Sequence, residues 1–121
     1  MFLGKTFSHL SWVNLGESRF CHRYGHTSTL VDKFILTFGG HNGQSPLNDV
    51  VLYNIEQNIW KQVEVFGQTP IPRSFHSACL IEDSKIIIFG GHSGGQVFSQ
   101  VEELELKNLD CIFYNVKRYL I

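Results

Sequence analysis

The sequence predicts an all-β protein: two four-stranded antiparallel units, preceded by the closing strands of a third. Three observations carry this. Phe38-Gly39-Gly40 recurs 51 residues on as Phe89-Gly90-Gly91. Arg23-Tyr24-Gly25-His26-Thr27-Ser28 recurs 50 residues on as Arg73-Ser74-Phe75-His76-Ser77-Ala78. Between these marks lie short runs rich in Val, Ile, Leu, Phe and Tyr, bounded by Gly, Asn, Asp and Pro, and no stretch shows a helical period. A repeat of this length signals stacked supersecondary units, each of which buries its neighbour's apolar face.

Taken in order, segment 2–15 holds Phe7 and Trp12, spaced like Ile55 and Trp60. It reads as the last strands of a preceding unit, with residues 1–16 as that remnant. Residues 17–66 form the first repeat, with strands expected at 26–31, 33–38, 49–55 and 59–65. Residues 67–121 form the second, with strands expected at 76–81, 85–89, 100–106 and 111–116. The one-residue slip between the two shifts falls where Val31-Asp32-Lys33 is answered by Ile81-Glu82-Asp83-Ser84-Lys85, a turn that tolerates it. Val50 and Leu52 alternate with Val51, Tyr53 and Ile55, so both faces of that sheet require cover. A shift of 51 puts Leu104 at the place of Tyr53, Cys111 at that of Trp60 and Gln100 at that of Asp49. The second repeat therefore loses two outer aromatic groups, and Asp49 has no charged equivalent at Gln100.

The bulk properties narrow the function. The chain has 121 residues, 43% of them hydrophobic and 17% charged, with a formal net charge of −1. Such a composition supports a packed core and argues against disorder. Its scattered basic residues argue against a nucleic-acid surface. No apolar run has the length of a membrane-spanning helix or a secretory signal. Cys21, Cys79 and Cys111 are odd in number and widely spaced, which points away from a disulfide framework and towards a reducing cytoplasmic or nuclear setting.

Taken together, Gly39-Gly40 after an apolar strand, Leu47-Asn48-Asp49-Val50, Tyr53 and Trp60 resemble the kelch family. Gly67-Gln68-Thr69-Pro70-Ile71-Pro72-Arg73 with His76 resembles the family's G-x-x-P-x-x-R-x-x-H form. The resemblance covers nearly the whole chain. It implies a partial β-propeller of four-stranded blades around a central channel. A complete propeller has roughly four to eight blades. The chain is accordingly expected to be a piece of a larger propeller, closed by further blades or by self-association.

The candidate chemistry is sparse. His22, His26, His41, His76 and His92 show no metal-ligand spacing, and His26 and His76 recur once per repeat, as scaffold residues do. Neither Gly-Gly pair continues into the Gly-Lys-Ser/Thr and helix of a phosphate loop. Arg23 and Arg73 are repeated too, and suit bidentate pinning of loops, with Asp49 as one carboxylate. Residues that differ between the copies are the better binding candidates. These are Tyr24, His41, Asn42 and Gln44 in the first repeat, and Ser74, Phe75, His92, Ser93 and Gln96 in the second, with Arg73 added despite its structural role. The resemblance implies that these loops share one rim of the propeller. Tyr24, Asn42, Arg73, Phe75 and His92 are the expected hot spots, because aromatic groups and Arg dominate such sites.

The resulting expectation is a protein-protein interaction module that receives a peptide or protein on this rim. It is a non-enzyme, needs no cofactor, and has neither nucleic acid nor membrane as partner. Two alternatives stand beside it: part of a kelch-type metal-dependent enzyme, or a structural or cytoskeletal scaffold within a longer chain. The iron-dependent relatives carry a Glu-x-x-x-Asp-x-x-x-His run, which this sequence lacks.

Overall fold

A computed structural model describes residues 6–18, 20 and 22–107, and the backbone of a strand at Tyr114–Tyr119. The first blade is the sheet β1 (Thr27–Val31), β2 (Phe34–Phe38), β3 (Val50–Asn54) and β4 (Ile59–Val63), in that order and antiparallel throughout. In the second, β5 (Ser77–Ile81), β6 (Lys85–Phe89), β9 (Val101–Leu106) and β10 (Tyr114–Tyr119) form the same meander. A small hairpin, β7 (His92–Ser93) with β8 (Gln96–Val97), fills the β6–β9 connection. There is no helix among the described residues, and the two sheets do not close into a ring.

The side-chain period of two decides which residues are buried. Phe34, Leu36 and Phe38 of β2, Val50 and Leu52 of β3, and Val63 of β4 share one face of the first blade. They pack with Ile86 and Ile88 of β6 and Leu104 and Leu106 of β9 in a single inter-blade core. Each such side chain, fully buried, contributes roughly 1.5–3 kcal/mol. The other face of the first blade presents Ile35, Val51, Tyr53 and Trp60, which line a groove of about 620 Å³ with Glu17, Ser18 and Phe20. Both faces are thus apolar, as the alternation in β3 requires.

The Gly-Gly pairs let backbones meet. Gly40 has φ 97°, and a Cβ there would stand 2.8 Å from the Tyr24 carbonyl oxygen. Gly91 repeats this with φ 88° and the Ser74 carbonyl at 2.8 Å. The blades are joined by main-chain bonds: Gly40 N–H donates to the Arg73 carbonyl (2.8 Å) and Arg73 N–H to the Leu47 carbonyl (3.0 Å).

Three expectations are corrected. Residues 6–18 form no strand, and Phe7 and Trp12 are exposed, so the preceding blade's strands are not formed there; a strand needs a main-chain ladder, and what this segment has to the first blade is a bond from the Asn58 side chain to the Leu15 carbonyl (3.1 Å). The remainder of that expectation, at 2–5, lies outside the described residues. The last strand, expected to end at 116, runs on to Tyr119; 114–116 lie within it, and 111–113 lie outside the described residues. Its register pairs Val116 with Leu104, as Trp60 pairs with Tyr53, so the counterpart of Trp60 is Val116. Trp60 itself is half-buried, because the groove leaves one side of it open.

Candidate functional site

Strand direction brings four segments to one rim: 22–26 and 71–76 at the starts of β1 and β5, and 39–49 and 90–100 at the ends of β2 and β6. The opposite rim carries the tight turns at 32–33, 55–58 and 82–84. The first rim is laid out by repeated main-chain pairs. Tyr24 and His41 exchange N–H···O bonds of 3.0 and 2.8 Å, and Ser74 and His92 exchange bonds of 3.0 and 2.9 Å.

The two repeated arginines anchor it differently. Arg23 makes a bidentate pair with Asp49, at 2.7 and 2.9 Å, and donates to the Gly39 carbonyl at 3.0 Å. Arg73 is 0% exposed. It donates to the Gly90 and Ile71 carbonyls, lies 4.4 Å from the Phe98 ring centroid, and faces Glu102 at 3.4 Å. Glu102 thus supplies the carboxylate that Gln100 does not. It stands two residues further on, on the same face of β9.

Burial corrects part of the expected surface. Arg73 and Ser74 are both buried, Arg73 by its carbonyl and carboxylate partners and Ser74 by its main-chain pairing with His92. Neither presents a side chain to a partner. Asn42 is exposed, but its Oδ1 accepts from Gln44 N–H and Ser45 N–H, both at 2.8 Å, so it shapes its own loop. Gln44 and Gln96 are exposed at the tips of the two loops, and Ser93 is half-buried in β7.

The remaining four candidates come together. Tyr24 lies with its ring centroid 5.3 Å from His41 and 6.3 Å from Phe75, and Phe75 stacks on His92 at 5.3 Å with an interplanar angle of 19°. His41, Tyr24, Phe75 and His92 therefore form one aromatic row across the blade junction. Tyr24 is 52% exposed and Phe75 61%. The Tyr24 hydroxyl and the Gly43 N–H both reach His41 Nδ1, at 3.1 and 2.9 Å. With Gly43 as donor, Nδ1 is the acceptor, and the ring proton of neutral His41 sits on Nε2.

Phe75 has a left-handed backbone, φ 59°, where its counterpart Gly25 has φ 67°. The conformation that glycine adopts without penalty costs a phenylalanine roughly 1–2 kcal/mol. The Phe75 ring lies over Gly25: a Cβ added there would stand 3.2 Å from its Cζ.

Below the row, His76 is buried, with its Nε2 2.9 Å from the Thr27 hydroxyl and its ring edge-on to Phe38 at 5.2 Å. Burial pushes its pKa down to about 4; the Arg73 guanidinium and His26 push the same way and the Phe38 carbonyl opposes them. His26 is shifted down by burial and by Arg23. Among the described residues no three His, Cys, Asp or Glu side chains converge as metal ligands do.

The KLHDC2/KLHL20/DRC7 Kelch-repeats domain, as a family model, matches residues 5–118. The chain belongs to the kelch-repeat family. Kelch repeats serve generally as protein-interaction modules. Among curated relatives, Adagio protein 3 of Arabidopsis thaliana is 43% identical over 72 residues, 57% of this chain and 12% of its own length. Kelch domain-containing protein 1 of Mus musculus is 39% identical over 79 residues, 64% of this chain and 19% of its own. Acyl-CoA-binding domain-containing protein 5 of Arabidopsis thaliana is 33% identical over 89 residues, 73% and 14% respectively. The kelch chain described here thus spans less than a fifth of the length of these relatives.

Proposed function

We propose that the rim built from segments 22–26, 39–49, 71–76 and 90–100 is the binding face of this interaction module, and that it receives a peptide or a segment of a protein partner. The observation that carries this is the row His41–Tyr24–Phe75–His92, whose two central rings are exposed and one of which, Phe75, has a strained backbone conformation. Exposed aromatic groups held rigid by their neighbours supply much contact area at little entropic cost, which is how interface hot spots work. Strain retained at an exposed site fits a binding role better than a packing role, because glycine fills the same place in the first blade. A non-enzymatic, cofactor-free role is part of this reading, as is a reducing setting in which Cys79 stays a free thiol.

A random peptide library displayed on phage and selected on the purified chain tests it. The expected result is a set of enriched peptides whose affinity falls about tenfold or more, near 1.4 kcal/mol, on Tyr24→Ala or Phe75→Gly with the melting temperature kept. Peptides indifferent to both substitutions, and lost instead when the edge strand Tyr114–Tyr119 is altered, would move the interface to strand addition at the sheet edge.

A further inference from the structure

The chemistry of the rim narrows its ligand. In segments 22–26, 39–49, 71–76 and 90–100 the charged side chains other than histidine are Arg23, Asp49 and Arg73. Arg23 is matched by Asp49 and Arg73 by Glu102, so the rim meets a partner as a neutral surface. That disfavours a phosphate-bearing or acidic ligand, which needs unmatched cationic groups, and a basic one, which needs carboxylates. Much of its polar inventory is also used internally. The Tyr24 hydroxyl and His41 Nδ1 meet each other, Asn42 Oδ1 is occupied twice, and the 24/41 and 74/92 main chains pair. What the rim offers is ring faces, flanked at its loop tips by the exposed amides of Gln44 and Gln96.

The fitting ligand is one that needs few donors, carries no charge and stacks on rings. We propose that the aromatic row docks an uncharged, proline-rich segment in the polyproline II conformation, an inference that rests on the rim being the binding face. Proline has no N–H to satisfy, and its carbonyls can accept from the loop amides. The polyproline II helix is already ordered, so little entropy is lost on docking against aromatic grooves. Ring spacing agrees. The centroid steps of 5.3, 6.3 and 5.3 Å are close to the ~6 Å rise of two polyproline II residues, so an extended ligand laid along the row meets a new ring about every two residues.

The test uses fluorescence anisotropy with a dye-labelled decaproline peptide on the full chain, with Gly-Ser and Glu-containing peptides of equal length as comparators. Decaproline is expected to bind about tenfold or more tightly than either comparator, and to weaken about tenfold on Phe75→Gly and on Tyr24→Ala. Its affinity is expected to change less than about twofold between roughly 50 and 500 mM salt, since no charges pair. Phe75→Gly relaxes the backbone, so folding is retained; the melting temperature confirms it, and Tyr24→Ala provides an independent variant. Decaproline binding no better than Gly-Ser, or unaffected by both variants, overturns the proposal, as does row-dependent binding of a neutral oligosaccharide in its place. If decaproline fails while library-selected peptides still depend on Phe75, the ligand class falls and the rim stands. If neither binds, both fall.

Discussion

Arg23 and Arg73 hold the same place in successive blades but have different surroundings. Arg23 lies at the edge of an open groove, clasping Asp49, whose side chain is 21% exposed. Arg73 sits under the second blade's loops, covered by Phe98 and by the first blade, against a carboxylate two positions further along the strand. The guanidinium of Arg23 is 7% exposed and meets a carboxylate that water still reaches, whereas Arg73 and its carboxylate are both fully buried. The difference teaches that a repeated residue keeps its role as loop anchor while the neighbouring blade sets its energetic weight.

The largest expected effect separates the two. Arg73→Ala leaves Glu102 buried without its partner and should cost about 3–5 kcal/mol. Arg23→Ala removes a charge-assisted pair and a bond to the Gly39 carbonyl but leaves Asp49 able to reach water, and should cost about 2 kcal/mol. Urea midpoints of the two variants measure the difference; equal losses would break the comparison.

The histidines sharpen it next. The pKa of His76 is lowered from 6.5 to about 4 in the folded chain. On acidification the unfolded chain takes up the proton first. Stability from this group is therefore whole above about pH 6.5 and is lost as pH falls towards 4, by up to about 3 kcal/mol. His26, its counterpart on the open side, is also lowered and is exposed. Stability measured from pH 7 to 4.5 should flatten markedly in His76→Gln and change less in His26→Gln.

Much of this was legible in the sequence, for identifiable reasons. The Gly-Gly pairs, the Arg and the His each answer to a backbone or inter-blade contact, so their recurrence revealed the blades and most strand ends to within two residues. The end and register of the last strand were missed because Leu106 pairs with Tyr114, whereas in the first blade Asn54 pairs with Ile59. A shift carried over from the first blade cannot register such an insertion. Glu102 was missed as Arg73's partner because alignment pointed to Gln100; on a strand, residues two apart share a face and can exchange roles. The aromatic row was legible only as separate candidates. Its two central rings, Tyr24 and Phe75, come from non-equivalent positions in different blades, and only blade packing brings them to 6.3 Å.

Trp60 gives the third contrast. It packs against Tyr53 at 4.8 Å but stays half-buried beside the groove, while the register puts Val116 at its place in the second blade. Trp60→Ala should cost about 2 kcal/mol, below the loss expected for a fully buried aromatic. A loss above about 4 kcal/mol in thermal or urea unfolding would show the groove side to be covered in solution.

The smallest expected effect on stability is the most telling for function. Phe75→Gly returns the second blade to the first blade's solution at this position. It removes a left-handed backbone penalty of roughly 1–2 kcal/mol. It also removes the stack on His92 and the contact with Tyr24, worth about 0.5–1.5 kcal/mol, and adds the backbone freedom of glycine to the unfolded chain, about 0.5–1 kcal/mol. These terms nearly cancel, so the melting temperature should move by only a few degrees. A residue whose removal leaves stability almost unchanged, yet which is held in a strained conformation at the exposed centre of an aromatic row, fits selection for contact with a partner. A loss of stability above about 3 kcal/mol would make Phe75 a packing residue of the blade junction, and the case for the rim would then rest on Tyr24.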